Sequence, residues 1–188
     1  MMVNLLAAAL DNVQSMVPRL TALAPQLLTL GEAMLASWAK RGKVLTAGNG
    51  GSACDAMHLA EELSVRFMKN RRALAALALC ADPTALTCAA NDYGFDEVFA
   101  RQVEALGNAG DVLIVFSTSG NSKSVIRAVE VAKSQGLVTA AFLGKGGGKL
   151  AGACDIELIV PAQLTHRVQE GHQILYHTLC EWVEARIE

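Results

Sequence analysis

The chain has 188 residues, 52% of them hydrophobic and 18% charged, with a formal net charge of −2. The length suits one domain with room for an added helix, and the apolar share excludes a disordered chain. Sixteen scattered Lys and Arg residues give no basic footprint for nucleic acid, and the one cluster, Lys69-Asn70-Arg71-Arg72, reads as a solvated helix end or loop.

Residues 3–40 are rich in Leu and Ala at helical spacing. Pro18 and Pro25 are expected to break this stretch into two helices or to kink it. The opening Met1–Leu10 lacks the basic start of a signal peptide and meets Asp11 at once, so it reads as amphipathic helix. Because it precedes the first strand, the segment is an addition to the core. It is expected either to pack on another subunit or to lie on its own domain.

Strands are then predicted at 43–47, 75–80, 111–116, 137–143 and 155–160. Helices are predicted at 52–67, 83–90 with 95–106, 122–135 and about 164–187, with a short turn near 147–152. Short apolar strands alternating with helices imply an α/β fold whose parallel sheet is covered on both faces. Ligands of such sheets bind beyond the carboxyl ends of the strands, where the strand order reverses. No apolar run approaches the ~20 residues of a membrane span. Five cysteines without a metal-finger spacing (Cys54, Cys80, Cys88, Cys154 and Cys180) read as reduced, mostly buried thiols of a cytoplasmic protein.

Two loops carry the chemistry. Gly48-Asn49-Gly50-Gly51-Ser52 joins the first strand to its helix, and Ser117-Thr118-Ser119-Gly120-Asn121-Ser122 follows the third. Small residues there leave backbone N–H groups open to an anion, and a helix start adds its dipole. Ordinary helix capping needs one Ser or Asn, whereas four hydroxyls crowd the second loop. Gly144-Lys145-Gly146-Gly147-Gly148-Lys149-Leu150 is no nucleotide P-loop, because Leu150 stands where a magnesium-binding hydroxyl belongs.

The helix after the first loop carries His58 and Glu62 four residues apart, hence on one face, with Glu61 turned towards solvent. The last helix offers Gln169, Glu170, His172 and His177; Gln169 and His177 lie ~80° apart around an ideal helix. Spacing alone leaves these groups open between a metal or acid–base site and ordinary helix residues. Asn91-Asp92, before Tyr93-Gly94, reads as a turn.

The motifs GNGGSACDAMHLAEEL, AANDYGF, GDVLIVFSTSGNS, GKGGGKLAG, CDIELIVP and RVQEGHQILYH occur in that order. Together they resemble the sugar isomerase (SIS) domain family, most closely its phosphoheptose isomerase branch, from about Leu30 to the C-terminus. The resemblance implies a three-layer, flavodoxin-like fold with a five-stranded parallel sheet, residues 41–188 forming the SIS domain and 1–40 a helical extension for oligomerisation. It implies interconversion of sedoheptulose 7-phosphate and D-glycero-D-manno-heptose 7-phosphate through an enediol, the first step towards the heptose of lipopolysaccharide or related glycans.

By matching positions, Asn49, Gly50, Gly51, Ser52, Glu62, Asn91, Asp92, Ser117, Thr118, Ser119, Ser122 and Gln169 would bind substrate. His58, Glu62, Gln169 and His177 would hold one zinc per subunit, with Glu62 and His177 as the acid/base pair. A carboxylate held by a cation is a weaker base, so the two roles of Glu62 imply different states of the site. The resemblance also implies a homotetramer with active sites at subunit interfaces, and neither nucleic acid nor membrane as partner. The alternative is a non-catalytic SIS adaptor like the DnaA initiator-associating protein, in which the catalytic positions have drifted.

Overall fold

The computed structural model describes residues 1–187. Helix α1 (Met2–Leu20) joins α2 (Ala24–Ala39) through one 3-10 turn at Thr21–Leu23. Pro25 lies in the first turn of α2, where its missing N–H is no loss. Pro18 lies inside α1, so the helix runs through it and the break falls at the 3-10 turn. The two helices differ in burial. α2 sinks Leu27, Leu30, Met34 and Trp38 into the core, while α1 buries only Met16 and Leu20.

The sheet comprises β1 (Val44–Gly48), β2 (Ala76–Ala78), β3 (Val112–Ser117), β4 (Val138–Leu143) and β5 (Ile156–Ile159). All pairs are parallel, in the order β2-β1-β3-β4-β5, as the flavodoxin-like expectation required. Alternating side chains serve two cores. Val112, Ile114 and Phe116 of β3 face α2, α3 (Gly51–Ser64) and α7 (Thr165–Glu184). Leu113 and Val115 face α4 (Pro83–Tyr93), α5 (Ala100–Leu106) and α6 (Lys123–Ser134). Strand order reverses between β1 and β3, so the loops after those two strands flank the switch point.

Three expectations are corrected. α3 ends at Ser64, short of residue 67. α4 continues through Asn91-Asp92 to Tyr93. Asp82 caps its start by accepting from the N–H groups of Thr84 and Ala85, and the stop is Gly94 at φ 91°. The local turn preference of Asn-Asp yields to a helix whose Ala89 still packs on the core. Of the five cysteines only Cys180 is buried; Cys54 and Cys88 are exposed and Cys80 and Cys154 half-buried, because they fall on outward helix faces and at strand ends. No described helix is long and apolar enough to cross a membrane.

The Lys69–Arg72 cluster is not merely solvated. The side chains of Arg71 and Glu184 are 4% and 5% exposed, with Arg71 Nε 3.7 Å from Glu184 Oε1. Arg71 also donates to the Leu63 and Glu62 carbonyls at the end of α3, while Glu184 accepts from the N–H groups of Met68 and Lys69. This pair ties the 65–73 loop to both α3 and α7. Breaking a buried pair strands a charge, at about 3–5 kcal/mol. Glu184→Gln is therefore expected to lower the thermal midpoint by roughly 10 °C, measured by scanning calorimetry, and an unchanged midpoint would contradict this role.

Candidate active site

Each loop ends where a helix begins. After β1, Gly50 takes φ 57°, a conformation open to glycine, and α3 starts at Gly51 without a side-chain cap. After β3, Ser122 stands at the N-cap of α6 but makes no capping bond. Its hydroxyl instead accepts from Asn49 Nδ2 at 2.8 Å, and the same amide reaches Ser124 Oγ at 3.0 Å. The two loops are thus joined by an Asn–Ser–Ser network, which weighs against simple capping. Ser117 Oγ accepts from the Gly120 N–H and Ser119 Oγ from that of Asn121. Each hydroxyl keeps its own proton to donate outward.

Between the loops lies a cavity of about 140 Å³ lined by Asn49, Ser52, Phe116, Ser117–Ser119 and Ser122. It presents hydroxyl, amide and backbone donors with no Lys or Arg, beside the N-termini of α3 and α6. Such a cradle suits a phosphate-sized anion. Clefts of about 440 and 560 Å³ share no lining residue with it; its donors, not its size, single it out.

The glycine-rich segment rejected as a P-loop supports this cradle from behind. A Cβ on Gly120, at φ 63°, would lie 1.7 Å from the Gly147 carbonyl oxygen, and one on Gly148 2.2 Å from that of Ser119. Leu150 N donates to the Gly120 carbonyl, and Lys149 N to Asn121 Oδ1. Backbone packs directly on backbone, so neither glycine can gain a side chain without moving the loop.

Along α3 and α7 a second cluster forms. His58 Nε2 lies 3.1 Å from Glu62 Oε1, and candidate ligand atoms of His58, Glu62 and His177 all fall within 4.8 Å of one another. The His58 and His177 rings meet edge-on at 5.1 Å, and Phe67 from the pinned loop lies against His177 at 5.9 Å. Burial and the neighbouring His58 push the His177 pKa below the usual imidazole range, which favours the neutral ring. His177 Nε2 is buried without a hydrogen-bond partner. Burial and the negative Asp55 raise the Tyr176 pKa, so its hydroxyl stays un-ionised. That hydroxyl lies 2.9 Å from His58 Nδ1.

Other candidates are placed elsewhere. Gln169 packs its amide where a Cβ of Gly51 would sit, 2.2 Å from that position, at the cradle end of α3. Asn91 and Asp92 are exposed on the last turn of α4, where Asn91 Nδ2 donates to Asp92 Oδ1, and they do not line the 140 Å³ cavity. Glu61 is exposed, as its helix angle required. His172 is fully buried, with Nε2 3.1 Å from the Leu143 carbonyl and Nδ1 3.7 Å from Asp55.

Sequence reasoning missed Ser124, Asp55, Tyr176 and Phe67. Asp55 was detectable, since it lies one turn from both Ser52 and His58 on α3. Tyr176 and Phe67 carried no signal, because their contacts cross from α7 and a loop to α3.

The fold and site define an α/β domain with a donor-lined loop pair at its switch point and a His58/Glu62/His177 cluster between α3 and α7. The family model described as "SIS domain" matches residues 10–144. The phosphoheptose isomerase of Fusobacterium nucleatum is 57% identical over 142 residues, 76% of this chain and 73% of that one. Phosphoheptose isomerase 1 of Campylobacter jejuni is 46% identical over 97% of this chain and 98% of its own. The solved phosphoheptose isomerase of Neisseria gonorrhoeae superposes with a TM-score of 0.92 at 41% identity, covering 98% of this chain and all of the other. The chain therefore belongs to the SIS domain family and, within it, to the phosphoheptose isomerases.

Proposed function

We propose that the chain is an aldose–ketose isomerase converting sedoheptulose 7-phosphate to D-glycero-D-manno-heptose 7-phosphate. The observation that carries this reading is the convergence on α3 of the anion cradle at its start and the His58/Glu62/His177 cluster seven and more residues along. Relatives bearing the phosphoheptose isomerase name support the substrate class.

In this reading Asn49, Gly50, Gly51 and Ser52 with Ser117, Thr118, Ser119 and Ser122 grip the phosphate, orienting the sugar away from the reacting carbons. Glu62 takes a proton from C1 of the ketose and returns it to C2 of the enediol. His177, held neutral, moves the remaining proton between O1 and O2. Gln169, whose amide packs on Gly51, is assigned by motif position both to substrate and to a fourth metal-ligand position. Asn91 and Asp92 are assigned to substrate by motif position.

The residues present fit a zinc ion: two imidazoles and a carboxylate lie within reach of one point, and His177 Nε2 is buried with nothing to bond. His58, Glu62 and His177 would hold it, and when bound it supplies Lewis-acid stabilisation of the developing oxyanion.

We also assign residues 1–40 to oligomerisation ahead of the SIS domain at 41–188, in a cytoplasmic homotetramer with active sites at its interfaces. The apolar side chains Val3, Leu6 and Leu10 of α1 are each more than half exposed, as a face awaiting another subunit would be. The product would enter heptose synthesis for lipopolysaccharide or related glycans.

The test is incubation of the purified protein with sedoheptulose 7-phosphate, following heptose 7-phosphate by chromatography. Turnover is expected, together with its loss on chelation and its return with zinc. No product at any metal loading would refute the enzyme reading. Full turnover with no bound metal would refute the zinc assignment alone.

A further inference from the structure

Tyr176 has no place in the steps above, yet it is fully buried and its hydroxyl meets the side of His58 facing away from Glu62. Its ring is fixed on several sides: edge-on to Phe116 at 6.0 Å, to His58 at 5.5 Å and to His177 at 4.7 Å. We propose that Tyr176 is a positioning residue that partners His58 Nδ1 as donor without metal and as acceptor with it, and so holds the ring with Nε2 presented as a metal ligand. This rests on the zinc reading above.

The argument is one of donors and acceptors. A neutral imidazole has one N–H and one lone pair. Without metal, His58 Nε2 faces the Glu62 carboxylate, which only accepts, so Nε2 carries the proton. Nδ1 is then an acceptor and the Tyr176 O–H donates to it. For Nε2 to bind a cation its proton must go, and the ring's one proton then sits on Nδ1. The same tyrosine oxygen now accepts it. A hydroxyl serves both states by rotating, with no movement of either ring. A carboxylate at this position could only accept, and a phenylalanine could do neither. Hydrogen bonding to the far nitrogen of a histidine ligand fixes its tautomer and ring orientation, and losing such a partner costs 10–100-fold in metal affinity or activity.

The experiment compares wild type with Tyr176→Phe, which keeps the ring packing and removes only the oxygen. Zinc affinity is read by competition with a chromophoric chelator. The tautomer of His58 is read from imidazole 15N shifts, before and after zinc. Affinity is expected to fall at least tenfold in Tyr176→Phe with an unchanged melting curve. In wild type the His58 proton is expected to move from Nε2 to Nδ1 on zinc loading. Equal zinc affinity in the two proteins overturns the proposal while leaving the zinc reading intact, as does a wild-type His58 that is protonated on Nδ1 without zinc. A wild type that takes up no zinc overturns both. Should Tyr176→Phe melt early, the wild-type His58 Nδ1 decides: a 15N shift typical of a nitrogen without a hydrogen bond, before or after zinc, overturns the proposal.

Discussion

Glu62→Gln is expected to reduce kcat by about 10²–10⁴-fold with KM changed only a few fold. The amide is nearly the size of the carboxylate, and its oxygen can still accept from His58 Nε2, 3.1 Å away in the native pair. The cradle is untouched, since Glu62 does not line it. What disappears is basicity: an amide cannot take a proton from carbon. Steady-state kinetics on sedoheptulose 7-phosphate check the rate. Deuterium wash-in from heavy water checks the step, because a variant that cannot abstract the C1 proton exchanges none. A Glu62→Gln protein that still washed deuterium into the ketose at the wild-type rate would remove Glu62 from the chemistry.

Gly120→Ala is expected to lower kcat/KM by about a hundredfold or more, chiefly through KM. Two costs coincide at this residue. Its φ of 63° disfavours any side chain, by about 1–2 kcal/mol, and the added Cβ would lie 1.7 Å from the Gly147 carbonyl. That obstacle is backbone, so no rotamer relieves it and the Ser117–Ser122 loop must shift. Displacement of a positioning group by 1 Å can cost about 10²-fold in rate. The variant should also lose inhibition by inorganic phosphate, which reports on the cradle without chemistry at the sugar. Normal phosphate inhibition in Gly120→Ala would show that the glycine segment is not the support of the loop. The two variants are complementary: one removes the base and spares the grip, the other the reverse.

The expected sheet was legible because its strands are buried on both faces and read as short apolar runs. Val112–Phe116 is the clearest case, a continuous run that becomes the central strand. The two donor-rich loops were legible for a related reason. Glycine at a strand-to-helix junction and hydroxyls beyond what a cap requires are local facts of the chain. His58 and Glu62 shared a face by helix period alone. By contrast, Asn91-Asp92 misled as a turn, because the Asp82 cap and the packing of Ala89 outweigh a two-residue preference.

Contacts that close across elements were decided only in three dimensions. The sequence determined the kind of fold, the position of the two small-residue loops and the His58/Glu62 half of the cluster, since each depends on residues within a few positions of one another. The tertiary structure decided that His177 meets that half, that Tyr176 backs His58 at 2.9 Å, and that Arg71 and Glu184 pin the loop carrying Phe67. It also gave the failed P-loop its use, as backbone packed against Gly120. Helix and strand periods fix which face a residue occupies. Which faces then meet depends on how the layers pack, and no short-range pattern encodes that.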